Sequence, residues 1–177
     1  MTVTSNPAVI RLLTPDDARA YRALRLRSLA EHPEAFTSSA EEESTHAAQW
    51  SVQRLTPDSS KPHDFFIGAF DGGRLVGMLG LEGRYRYKER HHATVLGMYV
   101  VPDSCGHGIG LALMHDLLAR ARAMPALEQL ELTVTDGNRR AQSLYERLGF
   151  TVYGVLPRAI RVQGSDYAKI LMSLRLR

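Results

Sequence analysis

Three glycines at alternate positions, Gly106, Gly108 and Gly110, are the strongest chemical signal in the sequence. They follow an apolar stretch that ends at Pro102, and they precede apolar residues that repeat at helical spacing. Glycines let consecutive backbone N–H groups turn toward one point, and the start of a helix adds its positive end. The pattern predicts a phosphate-binding loop, although a tight strand-to-helix turn without a ligand would use the same residues.

The composition is that of a folded protein with no evident nucleic-acid or membrane partner. The chain has 177 residues, of which 44% are hydrophobic and 23% are charged, and its formal charge is +3. The arginines are scattered, so no nucleic-acid footprint is predicted. The single cysteine, Cys105, cannot form an internal disulfide, and no apolar run approaches the roughly 18 residues of a membrane span. We therefore expect a cytoplasmic protein.

The elements that must position the glycine loop follow from apolar periodicity and turn residues. Their predicted order is a strand, two helices, three strands, a helix, a strand, a helix and two strands. The second helix is predicted over residues 42–55, and the third starts near Leu111. The last two strands are predicted over residues 150–155 and 167–176. This order describes a mixed α/β domain.

Two motifs, in order along the chain, resemble the signatures of a known family. The first is the glycine loop, which follows a strand that ends at Val101. The second runs from Asn138 to Phe150 and has the pattern N-x-x-A-x-x-L-Y-x-x-x-G-F. Together, with one predicted strand between them, they resemble the GCN5-related N-acetyltransferase (GNAT) superfamily. The order of the elements is also similar over nearly the whole chain.

The resemblance implies a GNAT fold of the mixed α/β class. Such a fold has a central, mixed and mostly antiparallel sheet of about seven strands, flanked by about four helices, with central strands splayed apart. It would occupy residues 8–177 as a single N-acetyltransferase domain, after a flexible N-terminus at residues 1–7.

The resemblance implies acetyl-CoA as the cofactor. Backbone amides from Cys105 to Leu111 would hold the pyrophosphate, and main-chain groups from Met98 to Val100 would face the pantetheine and the acetyl carbonyl. The expected cofactor-binding residues are Met98, Tyr99, Val100, Cys105, Gly106, His107, Gly108, Ile109, Gly110, Leu111, Asn138 and Tyr145. The family usually has arginine or glutamine where this chain has Cys105. We therefore expect cofactor binding that is weakened by one missing charge-assisted contact but not abolished.

The resemblance also implies catalytic residues. Tyr145 is expected to protonate the departing thiolate, because a phenol with a pKa of about 10 can supply a proton to a thiolate with a pKa of about 8.5. Asn138 lies two helical turns earlier and can face the same side. Glu82 and His92 are candidates for the base that takes a proton from the amine. Each residue also has a purely structural interpretation: Tyr145 could be a core aromatic, Asn138 a helix cap, and Glu82 and His92 surface side chains.

The predicted activity is transfer of an acetyl group from acetyl-CoA to a primary amine of a small molecule, such as an amino acid or a polyamine. The amine would attack directly in a ternary complex. The alternatives are acetylation of a protein N-terminus or lysine, and a non-catalytic acyl-CoA sensor with the same fold. A dinucleotide-binding oxidoreductase is disfavoured because the third glycine falls one position too early for G-x-G-x-x-G.

The acceptor side is less defined by sequence. Segments 33–39 and 84–92 are expected to line the acceptor pocket. Arg22 and Arg25, three residues apart on the first predicted helix, could face an acidic substrate group or form a solvated basic face. No metal is expected, because no Cys/His cluster has zinc spacing. The resemblance leaves a homodimer open.

Overall fold

The computed structural model describes residues 8–177, so the N-terminus at residues 1–7, for which the sequence predicts flexibility, lies outside the described residues. The strands are β1 (Val9–Leu12), β2 (Phe65–Asp71), β3 (Arg74–Gly83), β4 (His92–Val100), β5 (Gln129–Thr135), β6 (Thr151–Val162) and β7 (Ser165–Arg175). The helices are α1 (Ala18–Glu31), α2 (Ala40–Ser44), α3 (Ala48–Leu55), α4 (Ile109–Arg122) and α5 (Arg139–Arg147). Within this described part, no helix is long and apolar enough to cross a membrane.

All seven strands form one sheet in the order β1-β2-β3-β4-β5-β7-β6. Neighbouring strands are antiparallel except for the parallel pair β4 and β5. The predicted mixed and mostly antiparallel architecture is therefore confirmed. The single parallel pair lies in the middle of the sheet, where the chain passes from β4 through α4 to β5.

The start of α1 is fixed by an acidic residue that the sequence places in its first turn. The carboxylate of Asp17 accepts a hydrogen bond from the Thr14 N–H at 2.8 Å and two from the Arg11 guanidinium at 2.7 and 2.8 Å. Pro15 occupies the first position of the turn, where its missing N–H costs nothing. These contacts hold the end of β1 against the start of α1.

The predicted second helix is divided into two short helices, α2 and α3. Ser39 and Glu42 form a reciprocal cap that starts α2, with hydrogen bonds of 2.9 and 3.1 Å. The hydroxyls of Ser44 and Thr45 then donate to backbone carbonyls at the end of α2, each at 2.7 Å. Short polar side chains of this kind compete with the helical ladder. The described chain therefore has five helices where the sequence predicts four.

Strand β6 continues past Pro157, where the sequence predicts an interruption. The pairing with β7 shifts between Leu156 and Ile160, so three residues of β6 face one residue of β7. Arg158 sits inside this irregularity with a φ of 51°. Because β6 is at the edge of the sheet, a proline without an N–H is tolerated there.

Helix α4 packs closely on the sheet because β3 carries Gly77 at the contact. A Cβ at Gly77 would lie 3.2 Å from Leu113 Cδ1 and 3.3 Å from Ile109 Cγ2, which is tighter than a relaxed contact. The buried face of α4 contains the residues whose spacing predicts a helix, namely Leu113, Met114, Leu117, Leu118 and Ala121. This packing fixes the position of the glycine loop relative to β4.

Candidate active site

A cleft opens in the sheet where β4 and β5 separate. The two strands pair only over residues 92–94 and 129–131, although β4 continues to Val100 and β5 continues to Thr135. The strands therefore splay apart beyond Thr94. The space between them is a cleft of about 430 Å³, which lies within the usual range of small-ligand sites.

A β-bulge redirects the main chain of β4 beside this cleft. Gly97 and Met98 together face a single residue of β3, Leu79. Gly97 has a φ of 69°, in the left-handed region that glycine adopts without strain. Bulges of this kind re-aim the groups of one strand. Met98, an expected cofactor-binding residue, lies on the cleft together with Leu96 and Gly97.

The side chains of Tyr99 and Val100 do not line the cleft. The Tyr99 hydroxyl donates a hydrogen bond to the carboxylate of Glu31 at the end of α1. A Val100 methyl lies 3.3 Å from the Cβ position of Gly77, on the face that α4 covers. Only the main chain of these two residues is left to contact a ligand, which is the role that the family resemblance implies for them.

The glycine loop presents a run of unpaired backbone donors. Across residues 8–177, no backbone N–H from Gly106 to Leu111 donates to another residue. Gly106 and Gly108 have φ values of 86° and 77°, and the space beside both is open. Gly108 is the N-cap of α4, so these donors meet at the positive end of a helix. The arrangement fits the pyrophosphate of acetyl-CoA.

Cys105 lies just outside this run of donors. Its own N–H donates to the Pro102 carbonyl at 3.0 Å, and its Sγ is 3.5 Å from the Val100 carbonyl. The side chain is half-buried. The expected donor segment, from Cys105 to Leu111, therefore offers free N–H groups only from Gly106 onward.

Tyr145 lies on α5 and contributes to the wall of the cleft. It is 6% exposed, and its ring packs against Phe150 at a centroid distance of 6.0 Å. Its hydroxyl makes no hydrogen bond to any other described residue. Burial raises the pKa of Tyr145 to about 12. The phenol therefore remains protonated at neutral pH and available to a ligand in the cleft.

Asn138 caps α5 and also lines the cleft. Its side-chain oxygen accepts a hydrogen bond from the Ala141 N–H at 3.1 Å, and its backbone N–H donates to the Thr135 carbonyl at 3.0 Å. Since the cap uses the amide oxygen, the side-chain NH₂ group remains available as a hydrogen-bond donor. The cap and the expected contact with a cofactor are therefore compatible.

The two candidate bases lie in different places. Glu82 lines the cleft, and one of its carboxylate oxygens accepts a hydrogen bond from Arg54 Nη2 at 2.8 Å. His92 is absent from the cleft lining. Its Nδ1 lies 3.3 Å from the carboxylate of Glu131 without hydrogen-bond geometry, and Arg84 donates to the same carboxylate at 2.5 Å. His92 therefore belongs to a charged cluster where β4 and β5 are still paired.

A second cavity, of about 490 Å³, adjoins the cleft on its α1–α3 side. The two share Arg25, Ser38 and Arg54 as lining residues. Residues 35–38 of the expected acceptor segment line the cleft. The second cavity also contains Trp50, which stacks on His46 at a centroid distance of 4.7 Å.

Sequence reasoning missed Lys169, a buried lysine of β7 that also lines the cleft. It is 4% exposed and pairs with Thr135 across the strands. Burial lowers the pKa of its ammonium group. The signal available in the sequence is a lysine that directly precedes an apolar alternation, Ile170, Met172 and Leu174.

Comparisons with solved structures show the same fold. A phosphinothricin acetyltransferase from Sinorhizobium meliloti, solved in complex with acetyl-CoA, superposes with a TM-score of 0.79 at 20% identity, covering 96% of this chain and 89% of that one. A ribosomal-protein-alanine N-acetyltransferase from Brucella melitensis superposes with a TM-score of 0.76 at 22% identity, covering 94% and 99%.

Comparisons of sequence identify the family. An N-alpha-acetyltransferase RimI of Mycobacterium tuberculosis is 32% identical over 118 residues, which cover 66% of this chain and 71% of that protein. A mycothiol acetyltransferase of Geodermatophilus obscurus is 35% identical over 147 residues, which cover 78% of this chain but only 42% of the relative. The model of the acetyltransferase (GNAT) family matches residues 24–150. The chain therefore belongs to the GNAT acetyltransferase family and is an acyltransferase whose cosubstrate is acetyl-CoA.

Proposed function

We propose that residues 8–177 act as one N-acetyltransferase domain that transfers an acetyl group to the primary amine of a small molecule. The observation that carries this proposal is the size of the two cavities and their adjacent position. The cleft of about 430 Å³ shares three lining residues with the neighbouring cavity of about 490 Å³. Both volumes suit small ligands. The amine would enter on the α1–α3 side and attack directly in a ternary complex.

We assign the proton donor to Tyr145. When bound, acetyl-CoA supplies an activated acetyl thioester. The buried phenol holds its proton at neutral pH, because burial raises its pKa to about 12, and it faces a cleft in which a thiolate would need that proton. Positioned acids of this kind contribute roughly 10²–10⁴-fold to a rate.

We assign the amine's proton acceptor to Glu82, in preference to His92. Glu82 lies on the cleft, whereas His92 does not line it. The carboxylate is 42% exposed, so water can connect it to an amine in the cleft. Arg54 orients one carboxylate oxygen and leaves the other free of hydrogen bonds from the described residues. A base that acts through one water fits this arrangement.

Acetylation of a protein N-terminus is the second candidate. Two similar proteins favour it, because one is named an N-alpha-acetyltransferase and the other a ribosomal-protein-alanine N-acetyltransferase. Against it, the relative named mycothiol acetyltransferase points to an acceptor that is not a protein. Helices α2 and α3 contribute residues to the cavity on the acceptor side, including Glu43 and Trp50. We favour the small-molecule acceptor because this cavity has the volume of a small-ligand site.

The test is a direct comparison of the two acceptor classes. Purified protein is incubated with acetyl-CoA and either a panel of amino acids and polyamines or a panel of short peptides with free N-termini. Thiol release gives the rate, and mass spectrometry identifies the acetylated product. We expect a small amine to reach a higher kcat/KM than any peptide. A peptide that exceeds every small amine would overturn the small-molecule assignment and support the second candidate.

A further inference from the structure

Lys169 makes three hydrogen bonds, one for each N–H of its ammonium group. Its Nζ donates to the carbonyl oxygen of Glu34 at 3.2 Å, to that of Ala35 at 2.8 Å, and to Thr135 Oγ1 at 2.7 Å. The ammonium has three donors and no acceptor. Its hydrogen-bonding capacity is therefore filled by two loop carbonyls and one strand hydroxyl.

The Thr135 hydroxyl links the Lys169 ammonium to the loop by a second route. It accepts from Lys169 and donates to the Glu34 carbonyl at 2.7 Å. Thr135 and Lys169 are 5% and 4% exposed, so both side chains are largely removed from solvent. The group of Lys169, Thr135 and the two carbonyls is called the lysine clamp below. It joins β5 and β7 to the loop between α1 and α2.

A buried ammonium without an ion pair is costly, so its presence calls for an explanation. Among the described residues, no carboxylate lies within 4.0 Å of Lys169. The carboxylate of Glu34 lies 3.6 Å from His32 Nδ1, and it acts on the ammonium only by a charge attraction that offsets part of the effect of burial. An apolar residue on β7 would avoid this cost. This chain nevertheless has a lysine at this position, which lines the cleft.

The clamped carbonyls directly precede the loop that forms the acceptor side of the cleft. Glu34 and Ala35 lead into residues 36–38, all of which line the cleft. Ser38 also lines the neighbouring cavity. The loop has no strand or helix of its own between α1 and α2. Its position relative to the splayed strands therefore depends on contacts such as the clamp.

We propose that Lys169 is a positioning residue for acetyl transfer: with Thr135, its ammonium holds residues 34–38 as the acceptor-side wall of the cleft. This inference rests on the proposed function for the identity of the acceptor. The clamp touches the loop and β5, whereas the free N–H groups from Gly106 to Leu111 lie elsewhere. Loss of the clamp should therefore weaken use of the acceptor amine more than binding of acetyl-CoA.

The test compares Lys169→Met with Thr135→Val and with a matched control, Lys61→Met. Lys61 is an exposed loop lysine outside both cavities. Three quantities are measured: hydrogen–deuterium exchange of the 33–39 peptide, the affinity for acetyl-CoA by calorimetry, and the KM for the best amine. We expect Lys169→Met to speed exchange in that peptide and raise the amine KM about tenfold, with acetyl-CoA affinity changed less than about twofold. Lys61→Met should change none of them.

Thr135→Val keeps the shape of the side chain and removes both of its hydrogen bonds. It should produce the same pattern with a smaller amplitude, and it decides the question if Lys169→Met does not fold. Unchanged exchange in peptide 33–39, an unchanged amine KM, or an equal loss of acetyl-CoA affinity in the folded variant would each overturn the inference. The exchange measurement needs no substrate, so it still decides the clamp if the wild type acetylates no amine at all.

Discussion

Arg25 on α1 and Glu43 on α2 form a largely buried ion pair, in which the guanidinium donates three hydrogen bonds to the carboxylate. Nη2 lies 2.7 Å from Oε1, and Nε lies 3.0 and 3.2 Å from the two oxygens. The side chains are 12% and 7% exposed. Arg22, one turn earlier, donates to the Ser44 carbonyl at 3.0 Å. Both arginines therefore bind α2, a helix of five residues that would not be stable alone.

Replacing Arg25 with methionine should lower the free energy of unfolding of the protein. The change leaves the Glu43 carboxylate buried without its partner, which typically costs about 3–5 kcal/mol. Urea unfolding at pH 7 measures the loss. The double variant Arg25→Met/Glu43→Met should recover part of it, because no unpaired charge remains. A double variant that is less stable than the single one would contradict this explanation.

Gly108→Ala should disrupt the start of α4 and weaken acetyl-CoA binding. The φ of 77° at Gly108 is in the left-handed region, where an alanine costs roughly 1–2 kcal/mol. Gly110→Ala is the matched control for stability, because a Cβ there would only make an ordinary contact of 3.7 Å with Leu144. Thermal unfolding should show a lower Tm for Gly108→Ala only. Equal Tm changes in the two variants would show that the backbone conformation of Gly108 is not the cause.

Asp17→Asn should destabilise the protein by about 1.5–3 kcal/mol at pH 7, the usual value of a hydrogen bond to a charged group, because the carboxylate no longer accepts from Arg11 and Thr14 as an anion. The hydrogen bonds from Arg11 lower the pKa of Asp17 from 3.8 to about 2. A lowered pKa adds stability above pH 3.8 that is lost as the pH falls toward 2. The difference between the unfolding free energies of the variant and the wild type, measured with urea, should therefore become smaller as the pH falls over that range. Asp16→Asn, at an exposed neighbouring residue, should show neither effect. A stability difference between Asp17→Asn and the wild type that stays constant down to pH 2 would show that the lowered pKa of Asp17 does not stabilise the fold.

Cys105→Arg should tighten acetyl-CoA binding. An arginine at the opening of the loop would add a charge-assisted hydrogen bond to the pyrophosphate, which is worth about 1.5–3 kcal/mol, or roughly tenfold or more in affinity. Calorimetry at two salt concentrations measures it, and the gain should shrink at high salt. Cys105→Ser is the control without charge. An unchanged affinity would mean that the loop does not need a side-chain cation.

The residues that the sequence identifies are those whose partners are close along the chain. The glycine loop and the segment from Asn138 to Tyr145 are local motifs, and both lie on the cleft or at the start of α4. Even there, α4 begins at Ile109 rather than near Leu111, because Gly108 adopts the left-handed cap. Lys169 could not be assigned in the same way, since its partners are 34, 134 and 135 residues away.

Contacts between residues far apart along the chain also explain why the acceptor side of the cleft could not be predicted. The sequence leaves Arg25 open between a substrate contact and a solvated face, and the structure pairs it with Glu43, 18 residues later. That pairing depends on a break between α2 and α3, which the polar residues Ser44 and Thr45 create. Helical periodicity over residues 42–55 does not reveal this break. Long-range contacts therefore decide the acceptor wall, while local patterns decide the cofactor loop.

The central claim is that Tyr145 is the proton donor. Its most direct test is the turnover of Tyr145→Phe at saturating acetyl-CoA and amine, measured from the release of free thiol. The change removes one oxygen and keeps the ring packed on Phe150, so acetyl-CoA affinity measured by calorimetry should stay within about twofold. Turnover should fall roughly 10²-fold, because the buried proton donor is lost. Tyr153→Phe, the same change at an exposed tyrosine of β6, should be neutral. Wild-type turnover in Tyr145→Phe would contradict the account and remove Tyr145 as the acid.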